Sequence, residues 1–254
     1  MALLSVFIAA SCTQQIDLEL DSAVAHLVIE ANISDQAPPY FVRLTNSLPY
    51  YETGSFPTVS SALVIISDDA GNTDTLTETT PGLYQTDSAF QGTVGRTYTL
   101  KVAAGGKEYN AISYLPHPVS LDTIWVQSVS LFRNARTSIL TRFQDPANEH
   151  NYYRLVLSQT TTTSTAGQVV DDHFFNGTIQ ATIFGDGEIK TGDTITVNLQ
   201  CIDKGVYDYY NSFESNTGGQ NQTAAPANPT SNITNGALGY FSAYSATFKT
   251  IVVP

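Results

Sequence analysis

The feature that most limits what this chain can become is its punctuation. From Val24 onward, short apolar or alternating runs are cut again and again by glycine, proline, asparagine and aspartate, which leaves little room for amphipathic helices and favours short strands. Residues 25–33 and 40–44 read as strands on either side of Pro38 and Pro39. Residues 62–66 lead through the turn Asp68-Asp69-Ala70-Gly71-Asn72 into an alternating run at 73–77, and Pro81-Gly82 opens Leu83-Tyr84. Gly92 and Gly95 precede a strand at 98–102, and Gly105-Gly106 turns into another at 107–114. Composition agrees, with 14 tyrosines and 12 phenylalanines against a single methionine.

Leu115-Pro116-His117-Pro118 breaks the pattern, because two prolines within three residues remove backbone donors and hold the chain extended. A domain boundary is expected there. Beyond it, residues 122–131, 138–143, 152–159, 179–184, 194–202 and 240–253 read as strands. Residues 203–213 look helical: Asp203 suits an N-cap, and Val206, Tyr210 and Phe213 fall on one face. The expected fold is therefore mostly β. An N-terminal β-sandwich covers residues 24–115, and a second β-rich domain covers 119–254 with a short helix near 203–215 and a long loop at 214–235. The stretch from residue 62 to 114 resembles the prealbumin-like carboxypeptidase regulatory domain, which implies the same sandwich.

The N-terminus speaks to location. Residues 2–10 are an almost unbroken apolar run ending in Ala9-Ala10-Ser11-Cys12. That run is shorter than the roughly 20 residues of a membrane-spanning helix and has the length of a secretory core. Small residues before a cysteine resemble the bacterial lipobox, so residues 1–11 are expected to be a lipoprotein signal peptide, Cys12 the lipidated first mature residue, and residues 12–23 a polar, acidic tether. The other cysteine, Cys201, sits in an apolar strand and reads as a small buried hydrophobe.

A net charge of −12 repels a phosphate backbone, so nucleic acid is not an expected partner. Chemistry is hard to find. His26, His117, His150 and His173 are scattered without the spacing that puts two imidazoles on one metal. The Asp68–Asp74 segment reads as a hairpin turn, and Asp171-Asp172 as a solvated turn. There is no Gly-x-Ser-x-Gly elbow and no Ser-x-x-Lys. No catalytic, metal or cofactor-binding residue is nominated, and no cofactor is expected. Tyr207, Tyr209, Tyr210, Tyr240, Phe241 and Tyr244 concentrate aromatic surface near the C-terminus, either as core packing or as a binding face.

The order of several segments makes a more specific resemblance. Cys12 is followed by Ile16-Asp17-Leu18, then Leu27-Val28-Ile29-Glu30, Val42-Arg43-Leu44, Ser47-Leu48-Pro49-Tyr50, Ile66-Ser67-Asp68-Asp69, Pro81-Gly82-Leu83-Tyr84, Gly95-Arg96-Thr97-Tyr98, Asn151-Tyr152-Tyr153-Arg154, Tyr207-Asp208-Tyr209-Tyr210, Asn232-Ile233 and Gly236-Ala237-Leu238-Gly239-Tyr240-Phe241. Together they resemble the Bacteroidota lipoproteins grouped as domain of unknown function 4249. The resemblance implies a non-enzymatic lipoprotein of the outer membrane, on its periplasmic or its surface side, acting as accessory or binding partner of a TonB-dependent uptake system. A structural or adhesive envelope protein is the alternative.

Overall fold

The computed structural model describes residues 25–49, 52–131, 134–147, 149–160, 165–174, 177–184, 189–217 and 227–254. The expected signal peptide, Cys12, the tether and residues 218–226 of the long loop lie outside them. Of the described residues 54% are in strands and 8% are helical, so the chain is mostly β.

The first half forms β1 (Leu27–Ser34), β2 (Phe41–Asn46), β3 (Leu63–Asp68), β4 (Thr73–Thr75), β5 (Thr77–Thr80), β6 (Leu83–Gln85), β7 (Thr97–Ala104) and β8 (Lys107–Tyr114). The second half forms β9 (Leu121–Leu131), β10 (Asn134–Gln144), β11 (Tyr152–Gln159), β12 (Thr165–Asp171), β13 (Thr178–Phe184), β14 (Thr194–Ile202), the helix α1 (Lys204–Thr217) and the long closing strand β15 (Leu238–Val252). β12 has no counterpart in the sequence reading, because Thr165-Ala166-Gly167-Gln168 carries no clean alternation of apolar residues.

Eight strands make one sheet in the order β12-β11-β14-β15-β1-β2-β6-β5. Two smaller sheets pack on its inner face, β4-β3-β7-β8 on one half and β13-β10-β9 on the other. Alternation decides which side chains go inside. Ile29, Ala31 and Ile33 of β1 and Val42 and Leu44 of β2 meet Val64, Ile66, Leu100 and Val102 in the first core. Leu155, Leu157, Val197 and Leu199 meet Ile124, Ile139, Phe143 and Ile183 in the second.

The division between the cores differs from the expected domain boundary in one respect. Ile233, Ala237, Phe241 and Ala243, assigned by sequence to the second domain, pack in the first core. The cause is β15, which serves both halves. Its residues 238–244 run parallel to β1, from Val28↔Leu238 to Ser34↔Tyr244, and its residues 245–252 run antiparallel to β14, from Cys201↔Ser245 to Thr194↔Val252. The two sandwiches are thus extensions of one sheet, with a shared strand where separate domains would have a linker.

Helix α1 starts where expected. The Asp203 carboxylate accepts from Val206 N at 2.9 Å, the capping contact, and its other oxygen accepts from Ser113 Oγ at 2.5 Å and Tyr114 N at 2.9 Å, which ties the helix start to β8. Val206 is fully buried, while Phe213, expected on the same face, remains 45% exposed and stacks on Tyr209. The helix runs to Thr217, three residues past the expected start of the long loop. The returning part of that loop is built into the fold: Ile233 bridges Ala111, Thr234 N donates to Asn110 O at 2.9 Å, and Thr230 N donates to Ser212 Oγ at 2.8 Å.

Candidate functional site: the outer face of the large sheet

The same alternation that fills the cores sends the intervening residues of the eight-stranded sheet to its outer face. There Glu30 and Asn32 of β1 lie beside Tyr240 and Tyr244 of β15, with Phe41 and Arg43 on β2, Gln200 on β14 and Arg154 on β11. Helix α1 covers this face over β11, β12 and β15 and contributes its tyrosines. The Arg154 guanidinium lies 4.0 Å from the centre of the Tyr210 ring and donates to Gln200 Oε1 at 3.2 Å. Tyr240 is held between Tyr209 at 4.8 Å and Tyr210 at 5.1 Å between ring centres, and its hydroxyl accepts from Asn32 Nδ2 at 3.4 Å.

Beside this cluster run two open depressions of about 420 Å³ and about 410 Å³, which share Asn32, Phe41 and Tyr240. Phe41 is 43% exposed, and Tyr209, Tyr210, Tyr240 and Tyr244 are all partly exposed. Burial, reinforced by Tyr240, pushes the Tyr209 hydroxyl up to about 12, and burial pushes Tyr210 higher still. Both hydroxyls are therefore neutral hydrogen-bonding groups at physiological pH. The surface offers ring faces, neutral hydroxyls, amides, two guanidinium groups and one carboxylate, a set suited to recognition of a partner or a polar ring. Of the six aromatic residues singled out by sequence, Phe241 alone is fully buried, on the opposite face of β15 from Tyr240.

Other candidates resolve individually. The Asp68 carboxylate accepts from Ala70 N at 3.0 Å, Asn72 N at 2.8 Å, Asn72 Nδ2 at 2.8 Å and the Arg96 guanidinium, which makes the segment a closed hairpin turn. Burial acting alone would raise the pKa of Asp68, but the hydrogen bonds from Asn72 and Arg96 outweigh it and hold the carboxyl below its ordinary range. A polar depression of about 490 Å³ beside this turn is thus lined by a carboxylate already committed to the fold. Cys201 is buried, accepts from Val119 N at 3.3 Å and has its thiol pushed up to about 11 by that burial, as befits a core residue.

The histidines are less scattered in space than in sequence. His26 lies with Nδ1 3.2 Å from Gly236 O, and His117 lines a narrow cleft near Pro116 and Pro118. His150 and His173 approach each other, with ring centres 5.7 Å apart, and His150 meets Asp171 and Asp172. The hydrogen bond to Asp171, opposed by partial desolvation, raises the His150 pKa above its ordinary value. Asp171-Asp172 is not the solvated turn expected, since Asp172 is only 3% exposed. What gathers these residues is the register of β11 with β12, in which Tyr152 pairs with Asp171. Residues 165–168 carry no strand alternation, so nothing local in the sequence brings His150 and Asp171 together.

No curated protein matches the chain. Among solved structures, a two-domain fibronectin type III segment from chicken tenascin is similar over 70% of this chain and 91% of its own, with 11% identity and a TM-score of 0.24. The family described as Domain of unknown function (DUF4249) matches residues 13–250, nearly the whole length, and the chain belongs to that family.

Proposed function

We propose that this protein is an outer-membrane lipoprotein held by Cys12, and that it works as a non-enzymatic accessory of a TonB-dependent uptake system, meeting the transporter or its cargo through the tyrosine-lined outer face of its large sheet. The observation that carries the reading is that face itself. Tyrosines, a phenylalanine and arginines stand partly exposed around two open depressions, and these are the residue types that dominate binding energy at protein interfaces. The apolar run before Cys12 supports a lipid anchor, and the tether over residues 12–23, with polar Thr13, Gln14, Gln15 and Ser22 and acidic Asp17, Glu19 and Asp21, would keep the folded part near the membrane without inserting it.

The test is affinity purification of the mature protein from detergent-solubilised envelopes, beside a Phe41→Ala/Tyr240→Ala variant, with mass spectrometry of the N-terminus. A TonB-dependent transporter should accompany the wild type and fall at least tenfold in the variant, and Cys12 should carry acyl chains. Repeated recovery of the wild type without a transporter would overturn the accessory reading, and binding to glycan or matrix instead would favour the structural or adhesive alternative.

A further inference from the structure

We propose that His150, Asp171 and Asp172 form a binding site for a divalent transition metal of the zinc class, with His173 at its rim. The site shares no residue with the two depressions of the tyrosine-lined face and does not rest on the function proposed for that face. One ligand atom from each of the three residues falls within 4.8 Å of the others. His150 Nε2 stands 2.7 Å from Asp171 Oδ1 and 3.4 Å from Asp172 Oδ1. Bonds of 2.0–2.1 Å to a tetrahedral metal place neighbouring donor atoms roughly 3.3 Å apart. The Asp172 distance already meets that requirement, and the Asp171 distance meets it after opening by about 0.6 Å, as the imidazole gives up its proton and the metal takes the proton's place. The two carboxylate oxygens, within 4.8 Å of each other, settle to the same spacing around the metal.

The donor set is mixed, which separates it from an ordinary acidic surface cluster. A neutral imidazole with two carboxylates offers two negative charges to a dication, and imidazole selects zinc-class metals over calcium. The supporting contacts fix both kinds of ligand. Asp172, whose side chain is 3% exposed, accepts from Asn151 N through Oδ2 at 2.8 Å and turns Oδ1 toward the His150 ring. Asp171 accepts from His173 N at 2.9 Å. The His150 ring rests on Tyr152 at 4.7 Å and lies 5.7 Å from the ring of His173. Three protein ligands on a partly exposed shelf leave a coordination position open to water or to a further ligand, the pattern of an open zinc site.

The experiment titrates Zn²⁺, and separately Ca²⁺, into the metal-stripped mature protein by calorimetry, and locates the metal by anomalous scattering in a Zn²⁺-soaked crystal. Wild type should take up one Zn²⁺ per chain, bind Ca²⁺ far more weakly, and show the anomalous peak beside His150 Nε2. His150→Ala and Asp171→Asn, both at partly exposed side chains, should each weaken Zn²⁺ binding at least tenfold while the metal-free protein stays folded, its melting temperature lowered by no more than about 4 °C through loss of the exposed pair. His26→Ala should bind as the wild type does. The proposal is overturned by the absence of saturable Zn²⁺ uptake, by equal affinity for Ca²⁺, by unchanged affinity in both site variants, or by an anomalous peak elsewhere.

Discussion

The two halves of β15 are one continuous strand, yet they are held in different ways. Residues 245–252 sit in a regular antiparallel ladder with β14, eight pairs from Cys201↔Ser245 to Thr194↔Val252. Residues 238–244 run parallel to β1, and side chains bond several of the strand's other backbone groups. Asn232 does so twice, its Oδ1 accepting from Phe241 N at 3.0 Å and its Nδ2 donating to Phe241 O at 2.8 Å. Ser231 Oγ donates to Gly239 O at 2.8 Å, and Ser113 Oγ accepts from Ala243 N at 2.9 Å. A ladder spreads its hydrogen bonds over many equivalent residues. The antiparallel half adds side-chain bonds at Ala246, next to the parallel half, where N donates to Asp35 Oδ1 at 3.0 Å and O accepts from Gln36 Nε2 at 3.2 Å. The parallel half, by contrast, relies on such bonds along its length, at Gly239, Phe241 and Ala243. Single substitutions should therefore damage the parallel half far more than the antiparallel half.

Two glycines with nearly the same φ give the strongest contrast. Gly239 has φ +93°, and a Cβ there would lie 2.1 Å from Ile29 O, inside the pairing with β1. Gly192, where the chain meets the end of the antiparallel half at Val253, has φ +91° and nothing within 4 Å of the same position. Gly239→Ala should cost about 3 kcal/mol or more, from backbone strain plus a clash that only strand separation relieves. Gly192→Ala should cost about 1 kcal/mol, from strain alone. At roughly 2–4 °C per kcal/mol for a chain of this size, calorimetry separates them readily, and equal melting temperatures would refute the tight parallel contact.

Adjacent residues on opposite faces of the parallel half make the second contrast. Phe241 is fully buried in the first core, and Phe241→Ala should cost about 3–5 kcal/mol through lost packing and a residual cavity. Tyr240→Ala, on the outer face, loses the ring contacts to Tyr209 and Tyr210 and should cost about 1–3 kcal/mol, less than Phe241→Ala, so that its effect on partner binding can be read on a folded protein. Urea denaturation of the two variants checks the difference.

Local chemistry made much of this fold legible in the sequence. β8, β11 and β14 begin and end at the residues that alternation and turn glycines mark out, and Asp203 announces the helix because capping needs only residues within one turn. The pairing of β1 with β15 was not legible, since it joins residues about 210 positions apart and no local pattern encodes a parallel partner. β12 escaped for a different reason. Gly167 interrupts it, and a Cβ there would stand 3.3 Å from Arg154 Nη2, so the residue that weakens the strand pattern also makes room for the arginine beside Tyr210. Losing β12 from the reading also hid the meeting of His150 with Asp171, and the tyrosine face could not be told from core packing until the helix had a side of the sheet to lie on.

A smaller effect tests the side-chain edge itself. Asn232→Ala removes both bonds to Phe241 and should cost about 2 kcal/mol, because Phe241 N and O are left without the partners that replaced a strand. In the antiparallel half, the exposed pair Thr196 Oγ1 and Thr250 Oγ1, 2.9 Å apart, adds to a ladder that is already complete, and Thr250→Val should change stability by no more than about 0.5 kcal/mol. If Thr250→Val proved as costly as Asn232→Ala in urea unfolding, the distinction between the halves would fail.

The smallest effect distinguishes neutral from charged side chains used in this way. Asp68 stitches its hairpin by accepting from Ala70 N, Asn72 and Arg96, much as Asn232 stitches β15, but it does so as a carboxylate. Its pKa in the folded protein lies below the value of about 3.9 expected in the unfolded chain, so its contribution is fully present above that unfolded value and disappears as the pH falls through the lower folded one. Asp68→Asn should therefore cost about 1 kcal/mol at pH 7, and the gap to wild type should narrow steadily as the pH is lowered through about 4 and below. The gap between Asn232→Ala and wild type should stay constant over the same range, because an amide does not titrate there. Urea unfolding of the three proteins at a series of pH values measures both gaps, and a wild-type advantage over Asp68→Asn that persists undiminished into strong acid would show that the carboxylate's charge contributes nothing to the turn.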